Sequence, residues 1–155
     1  MRVKSVAYWT TTALVVFAMM SGGIAELLRL PANVEGMVHL GYPVYFVTII
    51  GTWKVLGAVA LVLPGFGRLK EWAYAGIVFN MTGAAASHIA VNDARWHIAA
   101  TLTIAALALA SWALRPESRS LGDPTGWWRR RVAEVRRGSV RVAHSSMTPR
   151  TGSTR

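Results

Sequence analysis

Cysteine does not occur in this chain. Its absence excludes disulfides, thiol redox chemistry, cysteine-ligated iron–sulfur clusters and covalently attached haem. Acidic residues are also scarce: seven, against seventeen lysines and arginines in 155 residues. No carboxylate dyad is available, and no Gly-rich phosphate loop or nucleophile elbow appears. Charged residues make up only 15% of the chain, too few for the surface of a soluble domain of this size. In their place the chain is 53% hydrophobic, with a mean hydropathy of +0.35. These proportions describe an integral membrane protein.

Four apolar runs, Ser5–Ile24, Pro43–Leu63, Trp72–Ala90 and His97–Leu114, are separated by short polar breaks. Each is close to the roughly 20 residues that a membrane-crossing helix needs. Lipid leaves no partner for an unpaired backbone group, so helix is the conformation expected for runs this long. The breaks "LPANVEG", "LPGFGRLKE", "VNDAR" and "RPES" each join a charge to proline, glycine or asparagine, the residues that stop helices and turn chains. Arg2 and Lys4 before the first run resemble a signal peptide, but the run is long and "MSGGIAE" is a poor cleavage site, so a retained span is expected. Between the first two runs Val34, Met37, Val38 and Leu40 have near-helical spacing, which predicts a short helix at the outer interface. The fold class expected is therefore all-α. It is a four-helix membrane bundle over residues 1–116, with a short outer interfacial segment and a basic tail over 117–155.

The net charge of +10 belongs mainly to the stretch from Arg115 onward, where ten arginines face only Glu117, Asp123 and Glu134. Rich in Arg, Ser, Gly, Pro and Thr, most of it is expected to be disordered. "GWWRRRVAEVRRG" is the exception, a basic, Trp-bearing segment suited to anionic lipid headgroups. No binding fold accompanies the charge, so no specific nucleic acid is expected as a partner. With the N-terminus in the cytoplasm, Arg2, Lys4, Arg68, Lys70 and the tail arginines all lie inside, and only Arg29 and Arg95 lie outside. The positive-inside rule then predicts both termini in the cytoplasm, and the protein is expected in the cell's inner (plasma) membrane.

Lys54 stands near the middle of the second run. A central lysine costs about 2.5 to 3.5 kcal/mol on an insertion scale, and the eleven Val, Leu, Ile and Phe residues of its span return about 3 to 7 kcal/mol. The span still inserts, but Lys54 must face the bundle interior, a partner or a polar cavity. Side chains tilt toward a helix's N-terminus, so Lys54 leans outward while Glu26 and His88, at the outer ends of the first and third runs, lean inward. Lys54 and His88 are expected to meet about 5 Å outside the midplane. These residues and Asn80 outline an outer-half ligand pocket, with His39 as its roof. The alternative is a structural hydrogen-bond network that fixes helix register, and for His39 and His97, lone histidines at helix ends, a merely interfacial place. Neither haem nor metal ligation is expected, because the chain has no His-x₃-His pair and a protonated Lys54 would repel a cation. Gly76, Asn80, Gly83 and Ser87, and likewise Gly51, Lys54 and Ala58, form small-residue stripes that suit close helix approach.

"ELLRLP…HLGYPVYFVTIIGTWKVLGAVALVLPGFGRLKEWAYAGIVFNMTGAAASH" followed by "SWALRPESR" resembles the DoxX-like membrane proteins over about residues 20–120. The resemblance implies a four-helix membrane protein and a link to respiratory or oxidative-stress chemistry. The founding DoxX and DoxD proteins are subunits of a quinone-linked thiosulfate oxidoreductase complex. The family carries no agreed catalytic residues to transfer. Two functional readings follow. One is a redox-associated subunit that binds a quinone beside Lys54 and His88 and receives electrons from another membrane or redox protein. The other is a non-enzymatic scaffold or assembly subunit, or a carrier for a small solute.

Overall fold

The computed structural model describes residues 2–116. They form five helices: α1 (Arg2–Leu27), α2 (Pro31–His39), α3 (Val44–Val62), α4 (Gly67–Ala90) and α5 (Arg95–Leu114). The basic tail, with its expected disorder and lipid contact, lies outside the described residues. The four long helices match the four apolar runs, and α2 is the short helix expected between the first two. It starts at Pro31, whose missing N–H and fixed φ suit a helix's first turn. No α2 residue is buried, in keeping with a segment lying on the bundle rather than in it.

Hydrogen bonds fix the direction of each helix. At the end where α1 starts and α5 finishes (the terminal end), the Thr12 and Ser111 hydroxyls meet at 2.7 Å, and Tyr74 OH meets the same Ser111 Oγ at 2.7 Å. That buried triad joins α1, α4 and α5. The indole N–H of Trp112 donates to Glu71 at 2.7 Å, and Arg115 pairs with the same carboxylate. At the opposite end (the α2 end), Tyr42 OH, just before α3, lies 2.7 Å from Ser87 Oγ near the end of α4. Thus α4 runs the full length of the bundle, antiparallel to both α3 and α5. A single core joins the four long helices, built from Val15 and Met19 of α1, Ala58 and Leu61 of α3, Tyr74, Ile77 and Met81 of α4, and Ala105 and Ala108 of α5.

By length and composition α1 (from Val3), α3 and α5 are long and apolar enough to cross a membrane. Helix α4 has the length but a lower hydropathy, because Tyr74, Asn80, Thr82, Ser87 and His88 dilute its apolar residues. Even so it points Trp72 (81% exposed) and Phe79 (75% exposed) outward, as Phe17 of α1 and Trp53 of α3 do. Water would penalise such a surface, whereas lipid solvates it. Tyr74 and Ser87 turn their hydroxyls to groups outside α4, whereas the exposed Thr82 bonds back to Val78 of its own helix.

Lys70 is also turned to a neighbouring helix. Expected as a loop cation, it lies in the first turn of α4 and is only 1% exposed. Its ammonium donates to the carbonyls of Ala60 (3.1 Å), Leu61 (2.7 Å) and Leu63 at the end of α3. The last carbonyls of a helix lack intrahelical partners and carry its negative dipole end. Lys70 therefore caps α3 from the next helix.

Three chain reversals at the α2 end share one geometry. Arg29 (φ 49°), Gly41 (φ 85°) and Asn92 (φ 52°) each take a left-handed conformation just past a helix. In each case the following residue's N–H bonds back over the last turn: Leu30 to Ala25, Tyr42 to Met37 and Asp93 to His88. These are Schellman closures. They set where Tyr42 and Asp93 point.

Candidate functional site

Two polar centres occupy the α2-end half of the bundle. The first lies on the α1–α3 seam. A Cβ on Gly51 would stand 2.9 Å from Glu26 Cβ and from the carbonyl oxygen of Gly23. A Cβ on Gly23 would meet Lys54 Cβ at 3.0 Å and Val55 at 2.9 Å. The two helices thus cross backbone against backbone, where only glycine fits on either side. Across this crossing the Lys54 ammonium pairs with Glu26 Oε1, with side-chain exposures of 15% and 7%. The outward lean expected of Lys54 is what brings it to Glu26 at the end of α1. Glu26 Oε2 is buried and lacks a hydrogen-bond partner.

Lys54 also lines a cavity of about 500 Å³ between α3 and α4. Met19, Ile50, Leu56 and Ile77 give it apolar walls, the rings of Trp53 and Trp72 flank it, and Asn80 brings a side-chain amide from α4. Gly57 and Gly76 also border the cavity, and nothing lies within 4 Å of where a Gly76 Cβ would stand. The stripe Gly76–Gly83 is therefore not a close helix contact as expected; Gly83 is likewise open, whereas Gly51 and Lys54 on the α3 stripe sit at a tight crossing. Space at Gly76 belongs to the cavity instead.

The second centre gathers the histidines. His88, near the end of α4, bonds through Nδ1 to Asp93 Oδ2 at 2.8 Å. His97, in the first turn of α5, faces Asp93 Oδ1 with its Nδ1 at 3.2 Å, and His39 at the end of α2 brings Nε2 to 3.7 Å from Oδ2. The rings of His88 and His97 stack at 4.9 Å and 7°. The Asn92 reversal folds Asp93 back over the last turn of α4, and the four-residue step from Asp93 to His97 places it on the first turn of α5. The backbone N–H of Ala94, donating to Oδ1 at 2.7 Å, and the His88 ring hold the Asp93 carboxyl below its usual pKa. The donor atoms of His88, Asp93 and His97 lie within 4.8 Å of one another, close enough to share one ion.

The five residues singled out in the sequence thus divide. Glu26 and Lys54 form a pair, Lys54 and Asn80 share the cavity wall, and His88 and His39 meet at Asp93 instead of at Lys54. In the sequence Asp93 is inconspicuous, because "VNDAR" reads only as a polar break. Its signal is the spacing His-x₄-Asp-x₃-His, which contains no His-x₃-His pair.

No solved structure matches the chain. An uncharacterized Bacillus subtilis (strain 168) protein, YdgD, is 35% identical over 77 residues, which is 50% of this chain and 67% of the relative. The DoxX-like family profile matches residues 10–111, from the first turns of α1 to Ser111 in the last turn of α5. This membrane protein belongs to the DoxX-like family.

Proposed function

We propose that the protein is a redox-associated membrane subunit that binds a quinone-type lipophile in the cavity between α3 and α4. The observation that carries this reading is Lys54 itself. A charge that is expensive in the membrane stands on the wall of an otherwise apolar cavity instead of being packed away from it. Small-molecule sites are typically 300–1,000 Å³ and largely apolar with a few polar groups, a description that the cavity's volume and lining meet. From opposite walls Lys54 and Asn80 offer hydrogen bonds to ring carbonyl oxygens. The ammonium also stabilises the negative charge that develops when such a ring is reduced. Glu26, behind the cavity wall, holds the ammonium in place. Electrons come from a partner protein, since a chain without cysteine offers no thiol or cysteine-ligated cluster to carry them.

The orientation belongs to the same proposal. The terminal end faces the cytoplasm, where Arg2, Lys4, Arg68 and the tail arginines accumulate, and the α2 end with Arg29 and Arg95 faces outward. The cavity opens toward lipid past the exposed Trp53 and Trp72, the route a membrane-dissolved ligand would take.

Organic extraction of the purified protein tests the reading. Quinone is expected above its level in the co-purifying lipid, and Asn80→Leu or Lys54→Met should lower it about tenfold, roughly the loss of one good polar contact. Absence of retained lipophile, together with recovery of a stable membrane complex, would favour the scaffold role over ligand binding.

A further inference from the structure

Three of the chain's four histidines converge on one carboxylate, from three helices that are separate in sequence. We propose that His39, His88, Asp93 and His97 form a binding site for a divalent transition-metal ion of the zinc type, at the α2 end and separate from the α3–α4 cavity.

The spacing fits such an ion. Around tetrahedral zinc, with bonds of roughly 2.0–2.1 Å, adjacent ligand atoms stand roughly 3.3 Å apart. Asp93 Oδ2 lies 2.8 and 3.7 Å from the nearest nitrogens of His88 and His39, on both sides of that edge, while His97 Nδ1 stands 3.2 Å from Oδ1. The donor atoms of His88, Asp93 and His97 already lie within 4.8 Å of one another, and the exposed His39 side chain is free to turn toward them as the fourth ligand. One nitrogen makes no hydrogen bond without it: His97 Nδ1 is buried, and its 3.2 Å approach to Asp93 Oδ1 is an ion-pair contact only. A buried polar atom left in this state is unusual, and coordination would satisfy it.

The surrounding groups prepare the ligands. Ala94 N–H takes up Asp93 Oδ1 at 2.7 Å, which turns Oδ2 toward His88 and His39 as a single-oxygen ligand. The Trp96 ring lies 3.5 Å from the His97 ring, centroid to centroid, and limits its rotation. Three imidazoles and one carboxylate suit zinc, copper or nickel, whereas magnesium and calcium prefer all-oxygen shells. On binding, the contact between His88 Nδ1 and Asp93 Oδ2 would give way to bonds from both atoms to the ion. Because its ligands come from α2, α4, the following turn and α5, the ion would fasten α2 to the other side of the bundle. That helix has no buried residue of its own to hold it there.

The test uses the full-length protein in detergent, stripped with a chelator and titrated with Co²⁺ and then Zn²⁺. Expected are one equivalent of Co²⁺ with the strong visible absorption of a four-coordinate site, its displacement by Zn²⁺, and a higher unfolding temperature with metal bound. Asp93→Asn, which keeps the side-chain shape, and His97→Ala should each weaken Zn²⁺ binding at least about tenfold. His39→Ala removes a ligand from an exposed position and should weaken binding and alter the Co²⁺ spectrum even if the other variants fold poorly. His144→Ala should change nothing. Failure of the wild type to take up one equivalent would overturn the proposal. So would Zn²⁺ binding that is unaffected by all three ligand variants, or that disappears with His144→Ala.

Discussion

Lys54 of α3 is paired with Glu26 of α1 across a crossing where Gly23 and Gly51 let the two backbones touch. Neither half of this arrangement stands without the other. A larger residue at either glycine would push the helices apart and lengthen the reach from ammonium to carboxylate. Without the pair, each helix would hold an uncompensated charge in the membrane.

Breaking the pair from one side should therefore be costly. Glu26→Gln or Lys54→Met is expected to lower stability by about 3–5 kcal/mol, because each leaves the other charge buried and alone. The double variant Glu26→Leu/Lys54→Met should lose much less than the sum of the single changes. Reversible denaturant unfolding in mixed micelles gives these values, and additive losses would show that the two residues do not act as a pair.

The glycines should differ sharply among themselves. Gly51→Val places its first added carbon 2.9 Å from backbone and Glu26 atoms and is expected to cost at least about 1–3 kcal/mol. Gly83→Ala meets nothing within 4 Å and should be neutral or slightly stabilising, since alanine favours helix over glycine. Thermal unfolding of the two variants side by side distinguishes a helix seam from an open face.

Lys70→Met removes the cap on α3. The hydrogen bonds of a charged donor are each worth about 1.5–3 kcal/mol, and three carbonyls would lose theirs together. A loss of about 2–4 kcal/mol is expected, with faster hydrogen exchange at the end of α3. Lys70→Arg should recover less than half of it, since a planar fork does not reproduce three contacts of a compact ammonium.

Much of this architecture is legible in the sequence. Runs of about 20 apolar residues bounded by proline and glycine leave the chain little choice but membrane helices, and Pro43, Gly65 and Arg95 stand close to the helix ends. Helix tilt points Lys54 toward the end of the bundle where Glu26 and His88 both lie, but its partner is Glu26 rather than the expected His88, which turns to Asp93. What escapes the sequence depends on neighbours that are distant along the chain. Lys70 looks like a loop cation because nothing in "GRLKE" reveals that the end of α3 lies against it. Gly76 and Gly83 carry the same small-residue spacing as a packed seam, yet only the arrangement of α3 and α4 shows that Gly76 borders a cavity. Asp93 takes its place from a backbone reversal at Asn92, which turns a polar break into the meeting point of three histidines.

The proposed ligand site is tested most directly by tryptophan fluorescence, because Trp53 and Trp72 flank the cavity and a quinone ring quenches indole emission. Titrating the purified protein with a short-chain quinone should give saturable quenching that Trp53→Phe/Trp72→Phe removes. Gly76→Leu, which fills open space in the cavity, should abolish saturation while leaving the fold intact. Lys54→Met should raise the apparent Kd about tenfold, the loss of roughly 1.4 kcal/mol of polar contact. Quenching that rises linearly without saturation, or that is the same in wild type and Gly76→Leu, would contradict a ligand site in this cavity.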